Sequence, residues 1–202
     1  AGETAFAVAV RRGDLAAVAV LRPQVAKVDL DRGLIVAAAT GDLPMTQQLL
    51  ADGASANAVD ANNDSALMLA VRAAQATVID ALLSAGAKTS VADARGRSPL
   101  WQAAAAGQRD GVAALLRARA AVDVADADGA TPLMAAAAGG HSGVVEALLA
   151  AGASATHRSR RGDTPLHAAA GAGRADVLRL LLRQKPDVNA ANEFGDTPLM
   201  FA

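Results

Sequence analysis

The chain is predicted to fold as an all-α solenoid of stacked helix-turn-helix units, and three observations predict it. The tripeptide Thr131-Pro132-Leu133 recurs as Thr164-Pro165-Leu166 and Thr197-Pro198-Leu199, a step of 33 residues, and the same step backwards meets Ser98-Pro99-Leu100 and Ser65-Ala66-Leu67. Leu49-Leu50, Leu82-Leu83, Leu115-Leu116, Leu148-Leu149 and Leu181-Leu182 keep that register, as do Gly41, Gly107, Gly140 and Gly173, and Gly53, Gly86 and Gly152. Hydrophobic residues make up 52% of the chain but aromatics only 2%, so the interior is built from Ala, Leu and Val. Such side chains suit thin helices stacked closely.

The unit that opens at Asp126 justifies each element in turn. Asp126, Asp128 and Gly129 form a turn, with Gly129 supplying a positive φ; Asn63 stands in the equivalent place two units earlier and tolerates the same conformation. Thr131 caps the first helix with its hydroxyl, and Pro132 takes the first helical position, where its missing N–H costs nothing. The helix runs through Leu133 and Ala135 to Ala138, residues of high helix propensity, and Gly139-Gly140 break it. A second helix begins near Ser142. Its Val144, Val145, Leu148 and Leu149 lie at i, i+1, i+4 and i+5 and turn one apolar face inward, before Gly152 ends it.

A period of 33 residues with Thr-Pro-Leu-His and a following Ala, as in Thr164-Pro165-Leu166-His167-Ala168-Ala169, resembles the ankyrin repeat. The resemblance covers about Thr4 to Ala202. It implies a β-hairpin finger between successive helix pairs, projecting at right angles to the helices, and a protein-binding module without chemistry of its own. Counting along the period gives one domain over 1–202, with repeats near 3–31, 32–61, 62–94, 95–127, 128–160 and 161–193 and a partial repeat at 194–202. The first repeat is short, since Gly13 precedes Gly41 by only 28 residues, and Arg22-Pro23-Gln24 marks a shortened second helix and finger. The last stops inside its first helix. That leaves apolar surface for further C-terminal repeats or end-to-end self-association to cover. The start at Ala1-Gly2-Glu3 is read as that of an excised piece or of a processed form.

Composition narrows the function classes. With no cysteine, neither a disulfide framework nor a thiolate zinc site exists. Nineteen basic against twenty acidic residues give a net charge of −1, without the electrostatic footprint of a nucleic-acid binder. No apolar run approaches the roughly 18 to 20 residues of a membrane span. No G-x-S-x-G elbow, phosphate-binding glycine loop or helical His pair at i, i+4 stands in the chain, so no catalytic residue, metal ligand or cofactor site is expected. The resemblance implies that His141 and His167 hydrogen-bond backbone or the capping Thr, and His157 is expected to be solvated in a finger. A cytoplasmic compartment is expected, with the bacterial periplasm or secretion as an effector the alternative; the Ala, Arg and Gly bias suits a GC-rich bacterial genome.

The candidate contacts for a protein partner are Arg72, Arg95, Arg97, Trp101, Asp128, Arg160, Arg161 and Phe194. Most flank the turn Gly of a finger, where charges alternate in sign from repeat to repeat and can encode register and specificity. Arg72 takes a late first-helix position that other repeats fill with Ala or Gly. Trp101 stands where the motif has His, and is expected to pack between repeats in preference to serving as an exposed anchor; Phe194 is expected to be exposed. The patch of His157, Arg158, Arg160 and Arg161 is the densest basic one, but its interleaved acids and lack of aromatic stacking groups argue against RNA. The leading reading is a non-catalytic scaffold gripping a partner, of unspecified identity, on a concave face of fingers and first helices. The alternative is a targeting or regulatory domain of a larger enzyme or secreted bacterial effector.

Overall fold

The computed structural model describes residues 4–201. Glu3, where the first repeat is expected to open, and Ala202, in the last fragment, lie outside the described residues. The described residues are helices and turns without a sheet, and they form two compact units, Ala1–Val91 and Ala92–Ala202.

In the first unit, α1 (Ala5–Arg11), α3 (Lys27–Thr40) and α5 (Ala66–Arg72) pack side by side as inner helices, while α4 (Leu43–Ala51) and α6 (Ala76–Ser84) pack as outer ones; α2 (Leu15–Leu21) pairs with α1. The short first repeat has its physical form here. A 3₁₀ turn at Arg22–Gln24 follows α2 directly, and α3 begins at Lys27. A longer helix therefore stands where other repeats place a finger, and Asp31 on that helix accepts the backbone N–H of Ser55 at 2.6 Å.

In the second unit, α7 (Pro99–Ala105), α9 (Pro132–Gly139) and α11 (Pro165–Gly171) form the inner row, and α8 (Arg109–Arg117), α10 (Ser142–Ala150) and α12 (Ala175–Leu182) the outer one. A 3₁₀ turn, Pro198–Phe201, packs on α11. Ser65, Ser98, Thr131 and Thr164 each accept the N–H three residues on, capping the inner helices as their register predicts. Leu67, Leu100, Leu133 and Leu166 from the tripeptides, with Leu82, Leu115, Leu148 and Leu181 from the outer helices, are buried. Leu199 keeps the tripeptide register but is 78% exposed, because no outer helix covers the terminal turn among the described residues.

The fingers differ from the hairpins that the resemblance implies. One isolated bridge, Val59 with Ser65, is the only strand pairing among the described residues. Each finger is a five-residue turn: the N–H of Asp93 donates to Arg97 O, that of Asp126 to Ala130 O, and that of Ser159 to Asp163 O. In the Asp60–Asp64 finger the N–H of Ala66 adds a second rung to Ala58 O at 3.1 Å, and in the others Pro99, Pro132, Pro165 or Pro198 stands in that place with no N–H to give. The fourth residue of each turn is left-handed, Asn63, Gly96, Gly129, Gly162 or Gly195, with φ between +63° and +82°. Gly129 has a second constraint, since a Cβ there would lie 2.7 Å from the backbone nitrogen of Arg160 on the next finger.

Candidate docking groove

The fingers of the second unit are locked from inside and tied to each other. The first turn residue uses one side-chain oxygen to accept two backbone N–H groups: Asp93 from Arg95 and Arg97, Asp126 from Asp128 and Ala130, Ser159 from Arg161 and Asp163, Asn192 from Phe194 and Asp196. Between fingers, the carbonyls of Arg95, Asp128 and Arg161 accept the N–H groups of Ala127, Arg160 and Glu193 at 2.8, 3.0 and 2.9 Å. Backbone polar groups at the tips are thus paired with each other, and the tip side chains are left to solvent.

Four of the predicted contacts, Arg95, Asp128, Arg161 and Phe194, hold one equivalent tip position in successive fingers, and all four are exposed, Phe194 at 71%. Their order is cation, anion, cation, aromatic. Arg160, also exposed, stands beside Arg161. Neither Arg160 nor Arg161 has a side-chain hydrogen bond or ion pair among the described residues.

Arg97 and Arg72 are placed differently. Arg97 lies 2.6 Å from the Asp93 carboxylate and donates to it through Nε at 2.8 Å, and its guanidinium carbon sits 5.3 Å from the centroid of the Trp101 ring. Burial alone would raise the Asp93 carboxyl, but hydrogen bonds from the Arg97 side chain and from the N–H groups of Arg97 and Arg95 outweigh it and hold Asp93 below the ordinary aspartate range. Arg72, in the first unit, pairs with Asp64, whose side chain is 11% exposed. Both arginines therefore neutralise turn carboxylates of their own chain, a pairing that the sequence reading missed because it depends on which side chain each turn brings within reach.

Trp101 is half-buried, and its Nε1–H donates to Ala130 O at 3.0 Å. The histidines behave similarly. His141 Nε2 lies 3.0 Å from Ala105 O, and His167 Nδ1 accepts the N–H of Thr164 at 3.1 Å, which leaves Nε2 to carry the proton toward Asp196 O at 3.1 Å. His157, expected in solvent, is instead half-buried with Nε2 3.1 Å from Gly129 O. The finger geometry brings that carbonyl within its reach. Among the described residues no group of three metal-binding side chains converges, and no helix is long and apolar enough to cross a membrane.

These elements frame a groove of about 800 Å³ in the second unit. Its floor is Ala135, Ala138, Ala168 and Gly171 on α9 and α11, with Ala172 at the C-terminal cap of α11; its finger side carries Asp128, Ser159, Arg160, Arg161 and Asp163; Trp101 and Phe201 also line it. Phe201 packs edge-on to His167 with ring centroids 6.2 Å apart. Four predicted contacts line the groove, Trp101, Asp128, Arg160 and Arg161, whereas Arg95, Arg97 and Phe194 of the same unit do not. Sequence reasoning placed the face on fingers and first helices but named neither these floor residues nor Phe201. The signal was there, because Ala135, Ala168 and Phe201 lie one step of 33 apart.

A family model described as ankyrin repeats in three copies matches three overlapping stretches of the chain, residues 34–126, 73–159 and 133–202. No curated protein matches it.

Proposed function

Because the chain belongs to the ankyrin repeat family, whose repeats generally serve as protein-protein interaction modules and are typically non-catalytic, we propose that it is a binding scaffold and that a protein partner docks in the groove of the second unit. The observation that carries this reading is the freedom of Arg160, Arg161 and Asp128: their backbones are fixed in the finger ladder while their exposed side chains border an open groove and make no hydrogen bond or ion pair among the described residues. The fixed backbones need no further ordering on binding, so the entropic cost is confined to the side chains themselves. The apolar floor beside them supplies area whose removal from water drives association.

The test is photo-crosslinking in the cells that make the protein. A benzophenone amino acid at Gly171, where an added Cβ meets nothing within 4 Å, is expected to capture a discrete protein, and one at Glu146, exposed on outer helix α10, is expected to capture none. Capture from Glu146 but not from Gly171 would move the binding face to the outer helices.

A further inference from the structure

Resting on the groove as the docking face, we propose that its occupant is a short peptide segment of a partner protein carrying a carboxylate side chain that seats against Arg160 and Arg161. The argument begins with charge complementarity. Arg97 and Arg158 at the fingers, and Arg72 at the end of α5, are engaged within the chain, with Asp93, the carbonyl of Ala191 and Asp64 respectively, while Arg95, exposed like Arg161, stands outside the groove. Arg160 and Arg161 are adjacent, exposed and unengaged at their side chains. Their backbones are held by three bonds, Arg160 N–H to Asp128 O, Arg161 N–H to Ser159 Oγ and Glu193 N–H to Arg161 O. Two fixed bases carrying two free guanidiniums make a fork for a carboxylate, which arginine binds through paired N–H donors.

The acids around the groove set the register of that carboxylate. Asp163 already gives one oxygen to the side-chain amide of Asn192 at 2.9 Å. Asp128, one repeat away from Arg161, is exposed and repels an acidic residue placed over it. A uniformly anionic polymer such as RNA therefore gains at Arg160 and Arg161 and loses at Asp128. A peptide with one local acid does not meet that conflict.

The floor and the large side chains define the rest of the segment. Ala135 and Ala168 offer only methyl groups, and the space above Gly171 is open to 4 Å, so a peptide backbone can approach α9 and α11 closely. The flanking residues of the peptide are small or apolar, matched to Met134 and to the rings of Trp101 and Phe201. Since Trp101 is the only tryptophan and the chain has no tyrosine, its emission reports what enters the groove.

The experiment selects a phage-displayed library of random dodecapeptides on the whole chain and measures the enriched sequences, labelled with fluorescein, by anisotropy and by Trp101 emission. Enrichment of Asp or Glu beside apolar residues is expected, with a shift in Trp101 emission on binding. Exchanging both arginines, Arg160→Glu with Arg161→Glu, is expected to weaken these peptides about tenfold or more, and a peptide whose acid is changed to Lys is expected to regain affinity for that variant. Gly171→Gln and, separately, Ala138→Gln are expected to block binding by occupying the floor, with circular dichroism melts confirming the fold of each. Peptides enriched without acids, or insensitive to the arginine exchange yet blocked by the floor variants, would overturn the carboxylate assignment and leave the docking groove intact. Peptides indifferent to both floor variants would overturn the groove as well. No enrichment, or displacement of the peptides by polyuridylate, would also defeat the proposal.

Discussion

Trp101 and His167, two repeats apart, make the same hydrogen bond: the indole Nε1–H reaches Ala130 O and the imidazole Nε2 reaches Asp196 O, each 29 residues further along the chain. Each thereby ties the first turn of an inner helix to the base of the following finger. Tryptophan at this position therefore replaces the donor of the motif's histidine and adds a ring that lines the groove. Trp101→Phe keeps the ring and loses the N–H, and is expected to cost about 1 kcal/mol in urea melts followed by circular dichroism. Trp101→His restores a donor and should recover part of that loss. A histidine variant weaker than the phenylalanine one would mean that the carbonyl link contributes nothing measurable.

Asp93 carries a pH dependence whose sign follows from its depressed carboxyl. A group held below its ordinary value stabilises the fold fully above that value, near pH 4 for aspartate, and loses the contribution as pH falls through the folded-state value. Asp93→Asn preserves the turn, because Asn192 makes the same two backbone bonds in its own finger, but it removes the charge that holds Arg97. A loss of about 1 kcal/mol at neutral pH is expected. The gap between the melting temperatures of the two proteins should close below about pH 4; a gap independent of pH would contradict the assignment.

Left-handed backbone positions predict substitutions of opposite sign. Ala74 has φ +55° at the place where Gly41, Gly107, Gly140 and Gly173 stand. Ala74→Gly relieves that strain, which costs roughly 1–2 kcal/mol for an L-residue, against a smaller entropic loss in the unfolded chain. A net gain of about 0.5–1 kcal/mol is expected. Gly129→Ala meets both φ +80° and the Arg160 backbone at 2.7 Å, and should cost about 1–3 kcal/mol. Equal effects from the two changes would remove the finger contact from the account.

The repeating half of the design was legible in the sequence, and the individual half was not. Thr131, Pro132, Leu133 and Gly140 announce a cap, a helix start, a core position and a helix end because each recurs at a fixed step and each has a local physical cause. The fingers, by contrast, were misjudged where the answer depends on reach. Arg97 and Arg161 read alike as finger cations, but only Arg97 has a carboxylate four residues before it turned inward by the Asp93 backbone bonds. His157 reads as a solvated loop residue, yet the neighbouring finger presents Gly129 O to it. Phe201 shares the register of Ala135 and Ala168, but the terminal 3₁₀ turn that carries it into the groove departs from the helix that its register predicts.

Thr46 exposes a local inconsistency that the protein tolerates. It is fully buried on α4, and its hydroxyl has no hydrogen-bond partner among the described residues. Ile79, Val112 and Val145 occupy the same register in later repeats. Thr46→Val removes an unsatisfied buried polar group and fills nearly the same volume, so a gain of about 1 kcal/mol is expected in denaturant melts. Destabilisation by this change would show that the hydroxyl finds a partner in solution.

The stack also predicts a gradient of sensitivity along equivalent leucines. Each repeat is stabilised by its neighbours on both sides, so a buried side chain in the interior is enclosed in a way that a terminal one is not. Leu148, fully buried on α10, should lose about 2–5 kcal/mol on replacement by Ala, the cost of the lost transfer energy and the cavity left behind. Leu199, although it repeats the register of Leu166, is 78% exposed, and its replacement removes little buried surface. The same change there should stay within about 0.5 kcal/mol of neutral, as for other surface positions. Equal losses in parallel urea melts would mean that the terminal turn is covered in solution, and a concentration-dependent midpoint for the parent protein would then identify a second copy as the cover.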